Sequence, residues 1–163
     1  MRLVELSAED SRAVYDMLRG IAANENEFKN EVKGMPYPEF LSWISLMEAW
    51  SRSEQLPDGY VPQTIFILYD CKKPVGMGKI RRRLTEYSRR IGGNIGYAIS
   101  ADYRGKGYGT ELMRLLVKKA DEMGVGEKLA TVEIYNPASK RAIEKAGGKL
   151  VKETAERWYY EFE

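Results

Sequence analysis

The sequence predicts an α+β fold with an α/β-type core: a mixed, mainly antiparallel central sheet flanked by helices. Three observations carry that prediction. The β-rich run Thr64 to Tyr69, the turn Asp70 to Pro74 and the run Val75 to Leu84 read together as an antiparallel hairpin. An apolar strand, Ile95 to Ser100, passes through Tyr103-Arg104-Gly105-Lys106-Gly107-Tyr108-Gly109 into an amphipathic helix, Thr110 to Met123, and a further strand follows, which makes one β-loop-α-β crossover. The whole order is a strand, two helices, three strands, a helix, a strand, a helix and two strands, and residues 1–163 are expected to form one domain.

Leu3 to Leu6 is the first strand, and Ser7-Ala8-Glu9-Asp10 reads as a capping box that opens a helix with Val14, Met17, Leu18 and Ile21 on one face. A polar stretch, Asn24 to Asn30, ends it. After Pro36 and Pro38 a second helix repeats Phe40, Trp43, Ile44, Met47 and Trp50 at helical spacing, a core pattern of which one or two rings can instead line a pocket. The loop Gln55 to Pro62 leads into the hairpin, and a polar excursion, Thr85 to Gly93, separates the hairpin from the strand Asn94 to Ser100. The helix after the glycines sets Leu112, Leu116, Val117, Ala120 and Met123 on one side and stops at Gly124. Ala130 to Tyr135 is a strand, Asn136 caps a helix that starts at Pro137 and closes at Gly147, and Lys149 to Lys152 with Arg157 to Phe162 form a last hairpin.

Composition narrows the function classes. With 163 residues, 44% apolar and 31% charged, the chain can bury roughly two thirds of its unfolded surface without a staple. A net charge of +2 is too small to imply a polyanion, so no nucleic-acid partner is expected. Met1 to Ala13 lacks the apolar core of a leader, and no apolar run approaches the roughly 20 residues of a membrane span, so no membrane partner and a cytoplasmic location are expected. Cys71, the only cysteine, excludes an intrachain disulfide and sits in a turn, where it reads as incidental. Histidine is absent, which excludes Ser-His-Asp and Cys-His chemistry and removes the usual nitrogen ligand of zinc; no metal is expected.

The glycine-rich junction says most about function. Glycine at 105, 107 and 109 clears three side chains where a strand becomes a helix, so backbone N–H groups can close on an anion at the positive end of the helix dipole. A Walker loop needs Ser or Thr where Gly107 follows Lys106, and a dinucleotide fingerprint needs glycine where Thr110 stands. What remains, Arg-x-x-Gly-x-Gly between strand and helix, resembles the acyl-CoA pyrophosphate loop of the GNAT superfamily of N-acetyltransferases, and residues 94 to 148 are similar to that family's acetyl-CoA core. Tyr97-Ala98-Ile99 is similar to its pantetheine strand, and Asn136-Pro137-Ala138-Ser139 with Glu144-Lys145-x-Gly147 to its second cofactor segment. A wider stretch, from Tyr60-Val61-Pro62 through Ile80-Arg81 and Gly92-Gly93-Asn94-Ile95-Gly96-Tyr97 to Ile143-Glu144-Lys145-Ala146-Gly147-Gly148, is similar to a bacterial subgroup of predicted acetyltransferases.

The resemblance implies a GNAT-like domain with acetyl-CoA as cosubstrate, the pantetheine adding to Tyr97, Ala98 and Ile99 like another strand. Arg104, Gly105, Lys106, Gly107, Tyr108, Gly109 and Thr110 would surround the pyrophosphate, with Asn136 and Ser139 beside the cofactor. Asn136 is equally explained as a helix cap, and Ser139 as a first-turn hydroxyl. Two positions depart from the family. Ile143 stands where many members carry the tyrosine that protonates the departing thiolate, and Asn94 where the subgroup commonly has histidine.

The implied reaction moves acetyl from acetyl-CoA to a primary amine on a small molecule, by direct attack in a ternary complex. An amine with a pKa near 10.4 costs roughly 4 to 5 kcal/mol to present unprotonated at neutral pH, so a base is needed. Thr131, Glu133 and Tyr135 alternate with Val132 and Ile134, which makes Glu133 the leading base and Tyr135 a donor to the thiolate, unless Glu133 is a plain surface residue. Arg81, Arg82, Arg83, Arg89 and Arg90 read as a solvated hairpin, or as bringing Arg81 or Arg83 to the acceptor. With Trp43 and Asn94 these are the expected acceptor residues, and a wall of Tyr37, Phe40, Trp43 and Trp50 facing Arg81 and Arg83 would suit an acidic or zwitterionic amine better than a polyamine. The alternative is a non-catalytic CoA-binding sensor or interaction module, to which Ile143 and Asn94 point; an RNA-binding role for the arginines would require salt-dependent affinity. A homodimer is compatible with each reading.

Overall fold

The computed structural model describes residues 1–163. Strand β1 (Arg2–Glu5) leads to α1 (Ser11–Arg19), a short hairpin of β2 (Asn24–Glu25) and β3 (Phe28–Lys29), and α2 (Tyr37–Ser51). The hairpin β4 (Gln63–Asp70) and β5 (Lys73–Arg81), the short α3 (Glu86–Arg90) and β6 (Ile95–Ile99) follow. After a 3-10 turn (Ala101–Tyr103) come α4 (Tyr108–Glu122), β7 (Leu129–Glu133), α5 (Pro137–Lys145), β8 (Lys149–Glu153) and β9 (Arg157–Glu161). One antiparallel sheet has the order β1-β4-β5-β6; a second has the order β7-β9-β8, with β9 inserted between the other two. This is the mixed, mainly antiparallel α+β architecture that the sequence predicts. No helix is long and apolar enough to cross a membrane.

Thr64 to Tyr69 of β4 is buried throughout because helices cover both faces of its sheet. Phe66 and Leu68 pack with Leu112 and Leu116 of α4, while Ile65 and Ile67 pack with Leu18 of α1 and with Phe40 and Ile44 of α2. A strand buried on both sides reads as a continuous apolar run, which is how it stands in the sequence. Helix α4 lies so close to the sheet that a Cβ on Gly78 would stand 2.5 Å from Leu116 Cδ1.

Several boundaries differ from expectation, each for a local reason. Ser7 to Asp10 forms no capping box; α1 starts behind Asp10, which sits at φ 56° and makes no side-chain cap bond. The polar stretch Asn24 to Asn30 contains the β2–β3 hairpin, whose two loop residues, Asn26 and Glu27, both lie at positive φ (51° and 63°), as a type I′ turn requires. The excursion Thr85 to Gly93 contains α3, capped reciprocally by Thr85 and Ser88. Serine replaces the Glu or Gln of the usual box there, which hides the signal. Strand β7 stops at Glu133, where the Asn136 N–H donates to the Glu133 carbonyl at 2.9 Å and turns the chain.

The crossover brings β7 alongside β6 without fusing the two sheets. Asn94, fully buried, joins them at one end: its N–H donates to the Leu129 carbonyl at 2.9 Å, and its Oδ1 accepts from the Leu129 N–H at 2.8 Å. Its Nδ2 donates to the Glu127 carbonyl at 2.7 Å. Beyond Asn94 no backbone hydrogen bond joins β6 to β7, and a cleft opens between them. Asn94→Ala would orphan the Leu129 N–H and the Glu127 carbonyl, so urea unfolding should show a loss of about 2–4 kcal/mol. An unchanged midpoint would show that the strands are held together elsewhere.

Candidate active site

The cleft between the sheets has a volume of about 530 Å³ and runs from the start of α4 to the β2–β3 turn. Its α4 end is built from backbone. Gly105 and Gly107 hold φ of 73° and 84°, a region that disfavours a Cβ, and nothing stands within 4 Å of where either Cβ would lie. From Gly105 to Thr110 no backbone N–H finds an acceptor in the protein, because residues 108 to 110 form the first turn of α4 and the loop before it makes no internal bonds. These donors, with the helix dipole behind them, form an anion cradle. Gly109 has another reason to be glycine, since a Cβ there would meet the Tyr97 ring at 3.1 Å.

The side chains of the cradle behave differently from expectation. Arg104 is occupied: Nε donates to the Ile99 carbonyl at 3.0 Å, and its two terminal nitrogens fork onto Glu25 of β2 at 2.8 and 2.7 Å. The Arg104 guanidinium pulls the Glu25 carboxyl below its ordinary range. Lys106 is outside the cleft, its Nζ donating to the Asp102 carbonyl at 3.0 Å. The free cations on the cleft wall are Arg141 and Lys145, one turn apart on α5, neither in an ion pair. Lys145 belongs to the Glu144-Lys145-x-Gly147 segment that resembles the family's second cofactor segment, and Arg141, four residues before it, shares its helix face.

Tyr97, Ala98 and Ile99 present the unpaired edge of β6 to the cleft, and Asn136 and Ser139 face it from α5. Asn136 accepts from the Ser139 N–H at 3.1 Å, so its cap is real, and Ser139 Oγ lies 3.1 Å from the Tyr97 hydroxyl. Burial raises the Tyr97 pKa above its ordinary value, so the phenol keeps its proton at neutral pH.

Glu133 lines the same cleft from the last position of β7. Tyr135 does not: with β7 ended at Glu133 the strand alternation breaks, and Tyr135 is 86% exposed outside the cleft. The expected acceptor residues lie away from the cleft, each with a local partner or position of its own. Trp43 is a core residue whose Nε1 donates to Glu31 at 2.9 Å, Arg81 turns to the Gly93 carbonyl at 3.2 Å, Arg83 is exposed elsewhere, and Asn94 is spent on the stitch. None of the four lines the cleft. The wall facing Glu133 is the β2–β3 turn, with Asn26, Glu27 and Phe28, rather than the aromatic face of α2.

Glu27 pairs with Arg157 of β9, their side chains only 15% and 13% exposed. Burial raises the Glu27 carboxyl above its ordinary pKa; Arg157 opposes the shift and Glu133 adds to it. No sequence rule marked this turn, because Asn-Glu is a poor match to the Asn-Gly that type I′ turns favour.

A family model described as the acetyltransferase (GNAT) family matches residues 24–148. The chain belongs to that family. It is therefore an acetyltransferase, of a class whose cosubstrate is acetyl-CoA. Solved structures with the same fold include RimL ribosomal L7/L12 alpha-N-protein acetyltransferase in complex with coenzyme A, at TM-score 0.71 and 12% identity over 98% of this chain and 92% of that one. The microcin C7 self-immunity acetyltransferase MccE with acetyl-CoA and AMP gives TM-score 0.68 and 15% identity over 98% and 90%. A spermidine N-acetyltransferase SpeG chimera from Vibrio cholerae and hSSAT gives 0.63 and 16% over 97% and 93%. No curated protein sequence matches the chain.

Two expectations follow for the cradle end. Gly107→Val puts a branched side chain into a left-handed backbone position and into the open cradle, so calorimetry should show CoA affinity falling by about tenfold or more in a folded protein. Arg141→Ala should weaken CoA several-fold, whereas Lys106→Ala should change it little. Equal effects at 106 and 141 would overturn this division of the charges.

Proposed function

We propose that this chain, as one acyl-CoA-binding domain over residues 1–163, transfers acetyl from acetyl-CoA to a primary amine of a small molecule by direct attack in a ternary complex. The observation that carries the reading is a single cleft lined both by an anion cradle and by a carboxylate, Glu133, that pairs with no cation. The residues present fit acetyl-CoA. The N–H groups from Gly105 to Thr110 would take its pyrophosphate, Arg141 and Lys145 would supply counter-charge, and the free edge of β6 at Tyr97 to Ile99 would accept an extended amide-bearing arm. Acetyl-CoA supplies an activated thioester carbonyl. Glu133 removes the proton that the acceptor ammonium must lose before it can attack; the amine nitrogen would then bond to the acetyl carbon as the carbon–sulfur bond breaks, its second proton passing to the departing thiolate, while the walls from β6, β7 and the β2–β3 turn hold the amine in line. The cytoplasm is the proposed compartment, which the exposed unpaired thiol of Cys71 suits.

A second reading, a binding module without turnover, draws on Ile143, buried and apolar where the family's proton donor often stands. Thiol release from acetyl-CoA with a panel of primary amines separates the two: steady release supports the enzyme, and binding without release the module. Within the enzyme reading, Glu133→Gln should lower kcat by about 10²-fold at pH 7. The deficit should shrink as pH approaches the acceptor's own pKa, near 10.4 for an alkylamine, where the amine loses its proton unaided. A loss independent of pH would remove Glu133 from proton transfer.

A further inference from the structure

The far end of the cleft carries a charge arrangement that acetyl transfer alone does not require. Glu27 and Glu133 both line it, and Arg157 stands between them, cross-strand from Glu133 on β9 and bonded to Glu27. The Arg157 Nε is buried without an acceptor, so the guanidinium is not fully satisfied by this partner set. Arg157 also reaches the exposed Glu156 carboxylate at 3.9 Å, so three carboxylates surround one guanidinium and the cleft-lining Glu27 and Glu133 keep a net negative charge, with the Glu27–Arg157 pair itself only 15% and 13% exposed. Glu27 is held there at a backbone cost, since a non-glycine residue at φ 63° pays about 1–2 kcal/mol that an Asn-Gly turn would avoid. Strain is retained here at a cleft wall, by a residue whose carboxylate pairs with Arg157.

The other neighbours do not cancel that charge. Glu25 is neutralised by Arg104 toward the cradle, and Lys79, 4.8 Å from the Phe28 ring, lies outside the cleft and donates to the Lys29 carbonyl. Phe28 itself contributes an apolar surface beside the carboxylates.

We propose that Glu27, with Glu133 and Arg157, is the specificity-determining element of the acceptor site, and that it selects a monocationic amine end with an apolar arm and no carboxylate beside the nitrogen. The inference rests on the acetyltransferase reading and deepens it. One ammonium completes the charge balance and lies against Phe28. A carboxylate next to the amine would be carried into the same place against Glu27 and Glu133, with Arg157 already engaged. This reverses the acidic or zwitterionic acceptor that Arg81 and Arg83 suggest in the sequence.

The test is a matched pair, 2-phenylethylamine and phenylalanine, which differ by one carboxylate. Each is titrated into the CoA-loaded protein by calorimetry and assayed with acetyl-CoA by thiol release. The amine should bind the CoA-loaded protein about tenfold or more tightly than the amino acid, and Glu27→Gln should narrow the ratio to within about threefold while CoA affinity stays unchanged. Should Glu27→Gln fail to fold, Glu133→Gln, read by binding alone, removes the second charge and should narrow the ratio as well. Equal or tighter binding of phenylalanine, no binding of either amine by a protein that binds CoA, or a ratio untouched in the folded variants would overturn the inference. Selective amine binding without thiol release would sustain it and overturn only the catalytic reading.

Discussion

The parting of β6 and β7 governs the rest of the molecule. A continuous ladder across these strands would make one seven-stranded sheet with no room for a ligand; instead Asn94 supplies side-chain amide groups where the next backbone pair would sit, and the ladder ends there. Exposed strand edges invite aggregation or further pairing. Here the edges face a cleft walled by α4, α5 and the β2–β3 turn, so the unpaired groups of β6 are available to a bound chain rather than to another protein. The same separation leaves the first turn of α4 open, and its free N–H groups depend on that opening for access.

The cleft is lined by charges of both signs. Arg141, Lys145 and the α4 dipole bring positive charge to it, while Glu27 and Glu133 bring negative charge. Stability does not account for the arrangement. The half-exposed Glu25–Arg104 pair contributes about 0–1 kcal/mol, and the Glu27–Arg157 pair, mostly buried, sets Coulomb attraction against a desolvation cost of similar size. With the strained turn added, the negative end is held at some expense to the fold, which is what a binding surface looks like in energetic terms.

Much of the architecture was legible because it rests on backbone requirements. The doubly buried run of β4 and the glycines at positive φ each leave a local mark, and so the cradle stood out. Side-chain destinations did not. Arg104 looked like a phosphate ligand, but its fork is taken by Glu25, a residue 79 positions away, and nothing near Arg104 encodes that partner. Trp43 and Asn94 misled in the same way, since an aromatic at helical spacing and a polar residue before a strand fit either a pocket or the interior. Tyr135 failed through a boundary only two residues out, because one turn bond at Glu133 changes which side of the strand the next residue takes. Glu27 was invisible because its turn uses a residue that turn statistics disfavour.

The β2–β3 hairpin touches both ends of the cleft, through Glu25 to Arg104 beside the cradle and through Glu27 to Arg157 beside Glu133. These carboxylates sit two residues apart on one short ribbon, so neither end can shift it alone. The hairpin is therefore tied down at both carboxylates, and it borders the cleft as a braced ribbon rather than as a free loop.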